Sequence, residues 1–347
     1  MEINSQNRNK LQLLIITFSI SFILLFAGYY YYQKEKKNHQ SEKYKELHAV
    51  SILKADQLAI WLRERQSEVN FFSANKPYPD LIQGILLNKA EQKEEFSNAL
   101  SRIMTNKRYE NIYVLDSVGN LIFSQDSNYT LVDQVTKGFA STVFVNGEIA
   151  IKDFYYCQTH QKIHFDIFAP VRDENKVIFA TLVFRINPAD FLFPLIAENP
   201  TPGFSTETYI VKKLGDSVLY LSDLRHKDNS KLQISVPLNN AEVTAVNAVL
   251  GNEGISEGID YRGVDVFSDI LKVEGTDWYI ITEIDKKELI AGLNKQSAWF
   301  FSAIVLLILL IVAVISWMYH RRQGNQYKEL LEKRLQLFQT QEEFGAI

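Results

Sequence analysis

"KIHFDIFAPVRDENKVIFATLVFRI", residues 162–186, decides the reading of this chain. Two runs rich in β-branched and aromatic residues flank Asp173-Glu174-Asn175, which favours a turn. The stretch therefore reads as an antiparallel hairpin. Strand patterns precede it. "NIYVLDSVGNLIFSQD" (111–126) holds two short strands around a turn at Ser117–Asn120, and "EIAIKDFYY" (148–156) holds another. "NPADFLFPLI" (187–196) closes the unit as a short helix, with Asn187 as cap ahead of Pro188. The sum is an antiparallel sheet of about five strands.

Helical periodicity comes first in the chain. Leu58, Leu62, Val69 and Phe72 fall on one stripe, and neither Gly nor Pro interrupts residues 33–75. Pro77 and Pro79 are expected to end that helix. A second helix follows, with Leu81, Ile85, Phe96, Leu100 and Ile103 as its apolar side. Beyond a boundary at Pro200–Gly203 a similar plan begins again. "TETYIVKKLGDSVLYLS" (206–222) is a hairpin turned at Gly215-Asp216, and 231–238 is a further strand. "NNAEVTAVNAVLG" (239–251) is a helix opened by Asn240 and stopped by Gly251. "GISEGIDYRGVDVFSDILKVEGTDWYIITEID" (254–285) is a three-strand meander with turns at Arg262-Gly263 and Gly275-Thr276. Helices and antiparallel sheets segregated in this way make an α+β protein.

Two uncharged runs flank all of this. Residues 11–32, "LQLLIITFSISFILLFAGYYYY", and 299–319, "WFFSAIVLLILLIVAVISWMY", are each long enough to cross about 30 Å of hydrocarbon. Tyr29–Tyr32, Trp299, Trp317 and Tyr319 suit the membrane–water interface. The first run is too long for a cleaved signal peptide, and no small-x-small cleavage site follows Gly28. Basic residues lie on both sides of the first span, so charge does not fix the orientation. Both termini are expected in the cytoplasm, with residues 33–298 outside.

Net charge is −4 over 347 residues with no extended basic patch, which argues against nucleic acid as a partner. Cys157 is the single cysteine, so no intramolecular disulfide forms. There is no Gly-x-Ser-x-Gly elbow and no phosphate-cradling glycine loop. No cofactor and no catalytic site are expected within residues 1–347.

The ordered series resembles the double Cache (PAS-like) extracytoplasmic regions of bacterial membrane receptors. It is carried by the long helix with "WLRER" (61–65), "FDIFAPVRDENKVIFATLVFRINPADFLFPLI" (165–196), "TETYIVKKLGDSVLYLSDLRHK" (206–227) and the 257–285 meander. The resemblance covers most of residues 33–298 and is nearest to PAS-containing sensor histidine kinases. It implies a cytoplasmic N-terminus (1–10), a span (11–32), a long helix (33–75), a membrane-distal domain (76–199), a membrane-proximal domain (200–298), a second span (299–319) and a signalling helix (320–347). "LFQTQEEFGAI" looks like the lead-in to a cytoplasmic PAS domain, so the chain is expected to be a fragment of a longer protein. The Arg-x-Trp-Tyr signature of amino-acid-binding members does not occur between Tyr129 and Tyr155, which leaves the ligand unnamed.

In the resemblance, the distal sheet and its covering loops form the ligand pocket. The expected ligand-binding residues lie in "DFYYCQTHQKIHFDIF" (153–168). His164 and Asp166 share one face of a strand, and Tyr155 and Tyr156 sit on opposite faces of the preceding one. Tyr109 and Asp153 are added as flanking members. The alternative is a solvated His164–Asp166 pair with the tyrosines in the core. His160, His164 and Asp166 also have metal-ligating chemistry, but His160 is placed at the hairpin tip with no fourth ligand, and no metal is expected. Arg225 and His226 fall in a polar loop, and Trp278 in the core.

After Arg322, Leu330, Leu337 and Phe344 recur every seven residues, with Leu331 and Phe338 one step on. This is a coiled-coil seam, weakened by Arg334 and Gln341, and it predicts a homodimer. The partners expected are a small-molecule ligand, the lipid bilayer, a second copy and a downstream cytoplasmic signalling domain. The function expected is ligand sensing and transmembrane signalling, most simply to a histidine kinase. A cyclic-dinucleotide cyclase or phosphodiesterase output, and a membrane-anchored binding protein without output, stay open.

Overall fold

The computed structural model describes residues 2–104, 109–198, 203–227 and 230–345. The chain divides into two compact units, Met1–Glu42 with Leu289–Ile347, and Lys43–Glu288. Helix α1 (Glu2–Ala74) contributes to both, as does α7 (Lys286–Gly345) at the other end. Between them run α2 (Tyr78–Leu86), α3 (Ala90–Met104), β1 (Asn111–Leu115), β2 (Leu121–Ser124), α4 (Gln134–Asn146), β3 (Ala150–Cys157), β4 (Lys162–Arg172), β5 (Ile178–Ile186), a 3-10 turn at Pro188–Asp190 and α5 (Leu192–Ala197). Next come β6 (Glu207–Leu214), β7 (Ser217–Tyr220), β8 (Ser235–Pro237), α6 (Thr244–Val249), β9 (Gly254–Ile259), β10 (Asp265–Lys272) and β11 (Trp278–Asp285). The architecture is α+β, as the sequence predicts.

The unit Lys43–Glu288 holds two sheets. The first has strand order β2-β1-β5-β4-β3 and the second β8-β7-β6-β11-β10-β9, with neighbours antiparallel throughout. β4 and β5 are central in the first sheet and almost wholly buried. That explains their near-continuous apolar runs, because each face meets its own layer. Phe165, Ile167, Leu182 and Phe184 join Leu58, Leu62, Val69 and Phe72 of α1 in one core. Phe72 lies 6.0 Å from Phe184, and Trp61 5.6 Å from Phe165, ring to ring. On the other face Tyr113, Phe168 and Val183 pack with Ala140 and Val143 of α4. The second sheet shares the first core through Ile280 and Trp278, whose ring stacks on Phe154 at 5.0 Å.

Several elements differ from the sequence reading. The single helix expected after Pro79 is two, broken where Asn88 takes a left-handed φ of 57°. Asparagine is one of the few residues that adopts this conformation readily at a helix end. Pro79 does not end a helix; it sits in the first turn of α2, where its missing N–H has no bond to lose. Helix α4 was not expected at all. Asp133 caps it by accepting the Thr136 N–H at 2.9 Å, and Gly147 closes it at φ 71°. The helix expected over 240–251 is only Thr244–Val249, because the Asn240 carbonyl instead accepts Val243 N–H in a turn. The strand expected over 231–238 shortens to Ser235–Pro237.

In the unit built from the chain ends, two helices carry segments long and apolar enough to cross a membrane. Leu14, Phe18, Phe22 and Phe26 of one, and Leu306, Leu310 and Val314 of the other, are exposed in the single chain. Apolar side chains facing outward in this way require a non-aqueous surrounding or a partner. The two helices meet at Gly28, where a Cβ would stand 2.6 Å from Ile304 Cδ1, and Tyr31 packs on Phe300 at 4.8 Å. In the last helix Leu330 and Leu331 are exposed in the single chain. The remaining seam side chains, Leu337, Phe338 and Phe344, lie outside the described residues.

Phe184 is fully buried between Phe72 and Tyr109. Phe184→Ala should lower unfolding free energy by about 3–5 kcal/mol in a denaturant titration of the detergent-purified protein. A loss under about 1 kcal/mol would mean that this face of the sheet is not a packed core.

Candidate functional site

An arginine on a strand as apolar as β5 needs a partner, since arginine is almost never buried alone. The strand register supplies one: Arg185 stands opposite Asp166 of β4. Both are essentially inaccessible. Arg185 Nε donates to Asp166 Oδ1 at 3.0 Å and Nη2 to Oδ2 at 2.9 Å, a bidentate fork. Three tyrosines complete the ring. Nη2 also donates to the hydroxyls of Tyr113 (3.0 Å) and Tyr155 (2.9 Å), and Nη1 to that of Tyr129 (3.1 Å). Tyr155 donates its own proton to Asp166 at 2.6 Å. The guanidinium carbon lies 5.2 Å from the centres of both the Tyr113 and the Tyr129 ring.

Helix α4 covers this group. Its capped first turn brings Thr136 to Lys152 of β3, whose Nζ donates to Thr136 Oγ1 at 3.2 Å and sits 3.2 Å from the centre of the Tyr155 ring. Burial lowers the pKa of Lys152 despite the neighbouring Asp133 and Asp166. Burial likewise raises Tyr155, and the Asp166 charge raises it further, so it stays a neutral hydroxyl. For Arg185, burial works against the charge but Asp166 more than offsets it, and the pKa is raised. The arrangement offers two fixed cations, two carboxylates and three tyrosine hydroxyls beneath one helix. Such a group can recognise a small polar molecule by exchanging its internal hydrogen bonds for bonds to that molecule.

A second polar group lies in the second sheet. Glu207 of β6 and Glu283 of β11 face each other in register, and Asp260 stands close by. All three are buried. Tyr209 donates to Glu283 Oε2 at 2.7 Å, and Tyr261 to Glu207 Oε1 at 3.0 Å. Arg262 bonds Asp260 and Asp285, each at 2.5 Å. The loop carrying Arg225 and His226 closes over this group: the Arg225 N–H donates to Glu207 at 3.0 Å and the His226 N–H to the Tyr261 hydroxyl at 3.2 Å. Burial, and then the charge of Glu207, pushes Glu283 well above the ordinary carboxyl range.

No protein-family model matches the chain, and no curated protein matches it in sequence. Solved structures do. The sensory domain of the Campylobacter jejuni chemoreceptor Tlp3 (CcmL) aligns at 14% identity over 73% of this chain and 98% of its own, with a TM-score of 0.53. The ligand-binding domain of the Pseudomonas fluorescens chemoreceptor CtaA, in complex with L-serine, aligns at 12% identity over 72% and 99%, with a TM-score of 0.50. The extracellular domain of the putative histidine kinase rpHK1S-Z16 aligns at 12% identity over 73% and 98%, also at 0.50. The chain shares the overall fold of these domains.

Within this fold the six sequence-predicted residues part company. Tyr155 and Asp166 meet at Arg185. His164 is fully buried beside them, its ring centre 5.9 Å from that of Tyr155. Tyr156 faces solvent and donates to Gln161 at 2.7 Å. Tyr109 packs edge-on against Phe184, in the core shared with α1 rather than beneath α4. Asp153 ties the two sheets together by accepting from Lys212 Nζ at 2.5 Å and Trp278 Nε1 at 3.0 Å; it also lines an open groove of about 680 Å³ with Leu62 and Ile151. The sequence reading missed Arg185, Tyr113, Tyr129 and Lys152. One signal was available for the first: a lone charge near the end of an otherwise apolar central strand, on the strand paired with Asp166.

Arg185→Ala leaves Asp166 buried without its counter-ion and should destabilise the protein by about 3–5 kcal/mol. The double variant Arg185→Met/Asp166→Leu should lose much less than the two single changes added together, a coupling read by a double-mutant cycle of chemical unfolding. Additive losses would mean that the pair does not interact.

Glu283 binds its proton more tightly folded than unfolded. Its contribution to stability is therefore present at acid pH and declines as pH rises above the ordinary value of 4.5 toward the raised folded value. Glu283→Gln should remove this decline and raise the melting temperature at neutral pH relative to the parent. A parent and variant whose stability–pH curves run parallel would contradict the assignment.

Proposed function

We propose that this chain is the ligand-sensing and membrane-crossing region of a bacterial receptor. In this reading residues 11–32 and 299–319 span the inner membrane, and residues 33–298 face away from the cytoplasm. The five-stranded unit (76–199) is the membrane-distal sensor and the six-stranded unit (200–298) the membrane-proximal one. The observation that carries the reading is the buried Arg185–Asp166 pair, ringed by three tyrosine hydroxyls under α4, in a double Cache fold flanked by two apolar helices. Chemoreceptor and histidine kinase sensor domains of similar fold support it, and one of these holds L-serine.

The output we favour is a sensor histidine kinase, acting as a symmetric dimer joined along the seam of α7. A ligand that binds one arrangement of the ectodomain more tightly shifts the population toward it. A tenfold bias requires only about 1.4 kcal/mol of differential affinity. Helix α7 then carries the change to the domain that follows, as a slide, tilt or rotation.

The test is a thermal-shift screen of the detergent-purified chain against organic acids, amines, amino acids and purines. A true ligand at a hundred times its dissociation constant should add about 2.7 kcal/mol of stability. Tyr129→Phe and Lys152→Met, which keep most of the packing, should abolish the shift. A ligand whose shift survives both changes binds elsewhere and would overturn the assignment.

A further inference from the structure

Cys157, His160 and His164 were not grouped by the sequence reading, which set His160 at the hairpin tip and paired the histidines with Asp166. The fold brings the three together. β3 ends at Cys157 and β4 begins at Lys162, its partner in the register. The connecting turn passes through Gln161 at φ 55°, a left-handed conformation that folds His160 back over the sheet. His160 then stacks on Tyr129 at 5.2 Å with 19° between the ring planes, and lies edge-on to His164 at 5.4 Å. The Cys157 sulfur is 3.1 Å from His160 Nδ1. One donor atom from each of the three residues falls within 4.8 Å of the others.

Two further observations point to a ligand held between them. His164 is 1% exposed; its Nδ1 faces a carboxylate, and its Nε2 has no hydrogen-bond partner. A buried imidazole left this way loses its hydration without replacement. Its Nδ1 is 2.9 Å from Glu110 Oε2. A carboxylate behind a histidine is the usual support for an imidazole that binds metal through its other nitrogen. The donor set is also selective. One thiol and two imidazoles suit a borderline or soft transition metal and not calcium or magnesium, which take oxygen. Three protein ligands leave a fourth position open.

We propose that the Cys157–His160–His164 cluster binds a divalent transition metal of the zinc class, with Glu110 as the positioning residue for His164. His160, partly exposed, is the side from which the ion enters. Metal held there fixes His160 against Tyr129, whose hydroxyl accepts from Arg185. The site therefore adjoins the arginine group without sharing a ligand with it, and it stands whether or not that group binds an organic molecule.

The experiment uses the detergent-purified full chain, reduced and stripped with chelator, then titrated anaerobically with cobalt(II) and zinc(II). One equivalent of cobalt should bind per chain with an intense near-ultraviolet thiolate-to-cobalt band, and zinc should displace it. Cys157→Ser should abolish that band. His164→Ala combined with Cys157→Ala should weaken zinc binding more than a hundredfold. Glu110→Gln should keep the stoichiometry and weaken affinity by about 10–100-fold, with no loss of the charge-transfer band. Absence of stoichiometric uptake by the parent, or uptake undiminished in the double variant, would overturn the proposal. Should the double variant fail to fold, the parent's spectrum decides alone: cobalt bound without a sulfur band excludes Cys157 and overturns it equally.

Discussion

A guanidinium and a carboxylate sit side by side on neighbouring strands, shut off from water, and much of the first sheet is arranged around them. Neither charge tolerates that position without the other. Their pairing fixes the register of β4 against β5, because a slip of one residue would turn one charge toward the α1 core and leave the other buried without it. It also sets the tyrosines. Tyr113, Tyr129 and Tyr155 come from β1, a connecting segment and β3, yet their hydroxyls converge on one planar group. Helix α4 then has a polar surface to cover as well as an apolar one, which is why Thr136 at its first turn and Val143 near its last are both buried.

The same sheet thus has two unlike faces. Toward α1 it is largely apolar, and its role is cohesion: Phe165, Ile167, Leu182 and Phe184 meet a regular helical stripe. Toward α4 it mixes Phe168 and Val183 with Asp166, Arg185 and His164. A face of this mixed kind is less favourable for stability than hydrocarbon of the same shape. It gains specificity, since each buried polar atom answers to a particular partner. The second sheet also buries a polar group, gathering Glu207, Asp260 and Glu283 with Arg262, where the first pairs Arg185 with Asp166.

How much of this the sequence disclosed follows from what each signal depends on. The stripe of Leu58, Leu62, Val69 and Phe72 was legible because a helix repeats locally, and the hairpins were legible because their turns carry Asp, Asn and Gly. Helix α4 was not, because its buried side is only Thr136, Ala140 and Val143, while apolar residues such as Val135 and Val145 lie exposed, so no clean stripe stands out. Tyr155 and Asp166 were found from strand alternation. Arg185 was not, because its partner lies nineteen positions away by way of strand pairing, and one charge at the end of an apolar run looks like a strand terminus. Tyr109 and Asp153 were added as flanking members; Tyr109 packs in the α1 core and Asp153 bridges the sheets. Cys157 joined the histidines only once the turn at Gln161 was known.

β11 ends at Asp285 and α7 begins at Lys286, so a pleated strand passes into a helix with no slack between them. A connection of this kind carries phase. Adding a single residue at the junction would swing every downstream side chain by about 100° around the helix axis, whereas adding seven would nearly restore the original facing. The facing of the side chains of α7 is thus set by the number of residues that follow Asp285, and only insertions of near-whole turns leave it unchanged.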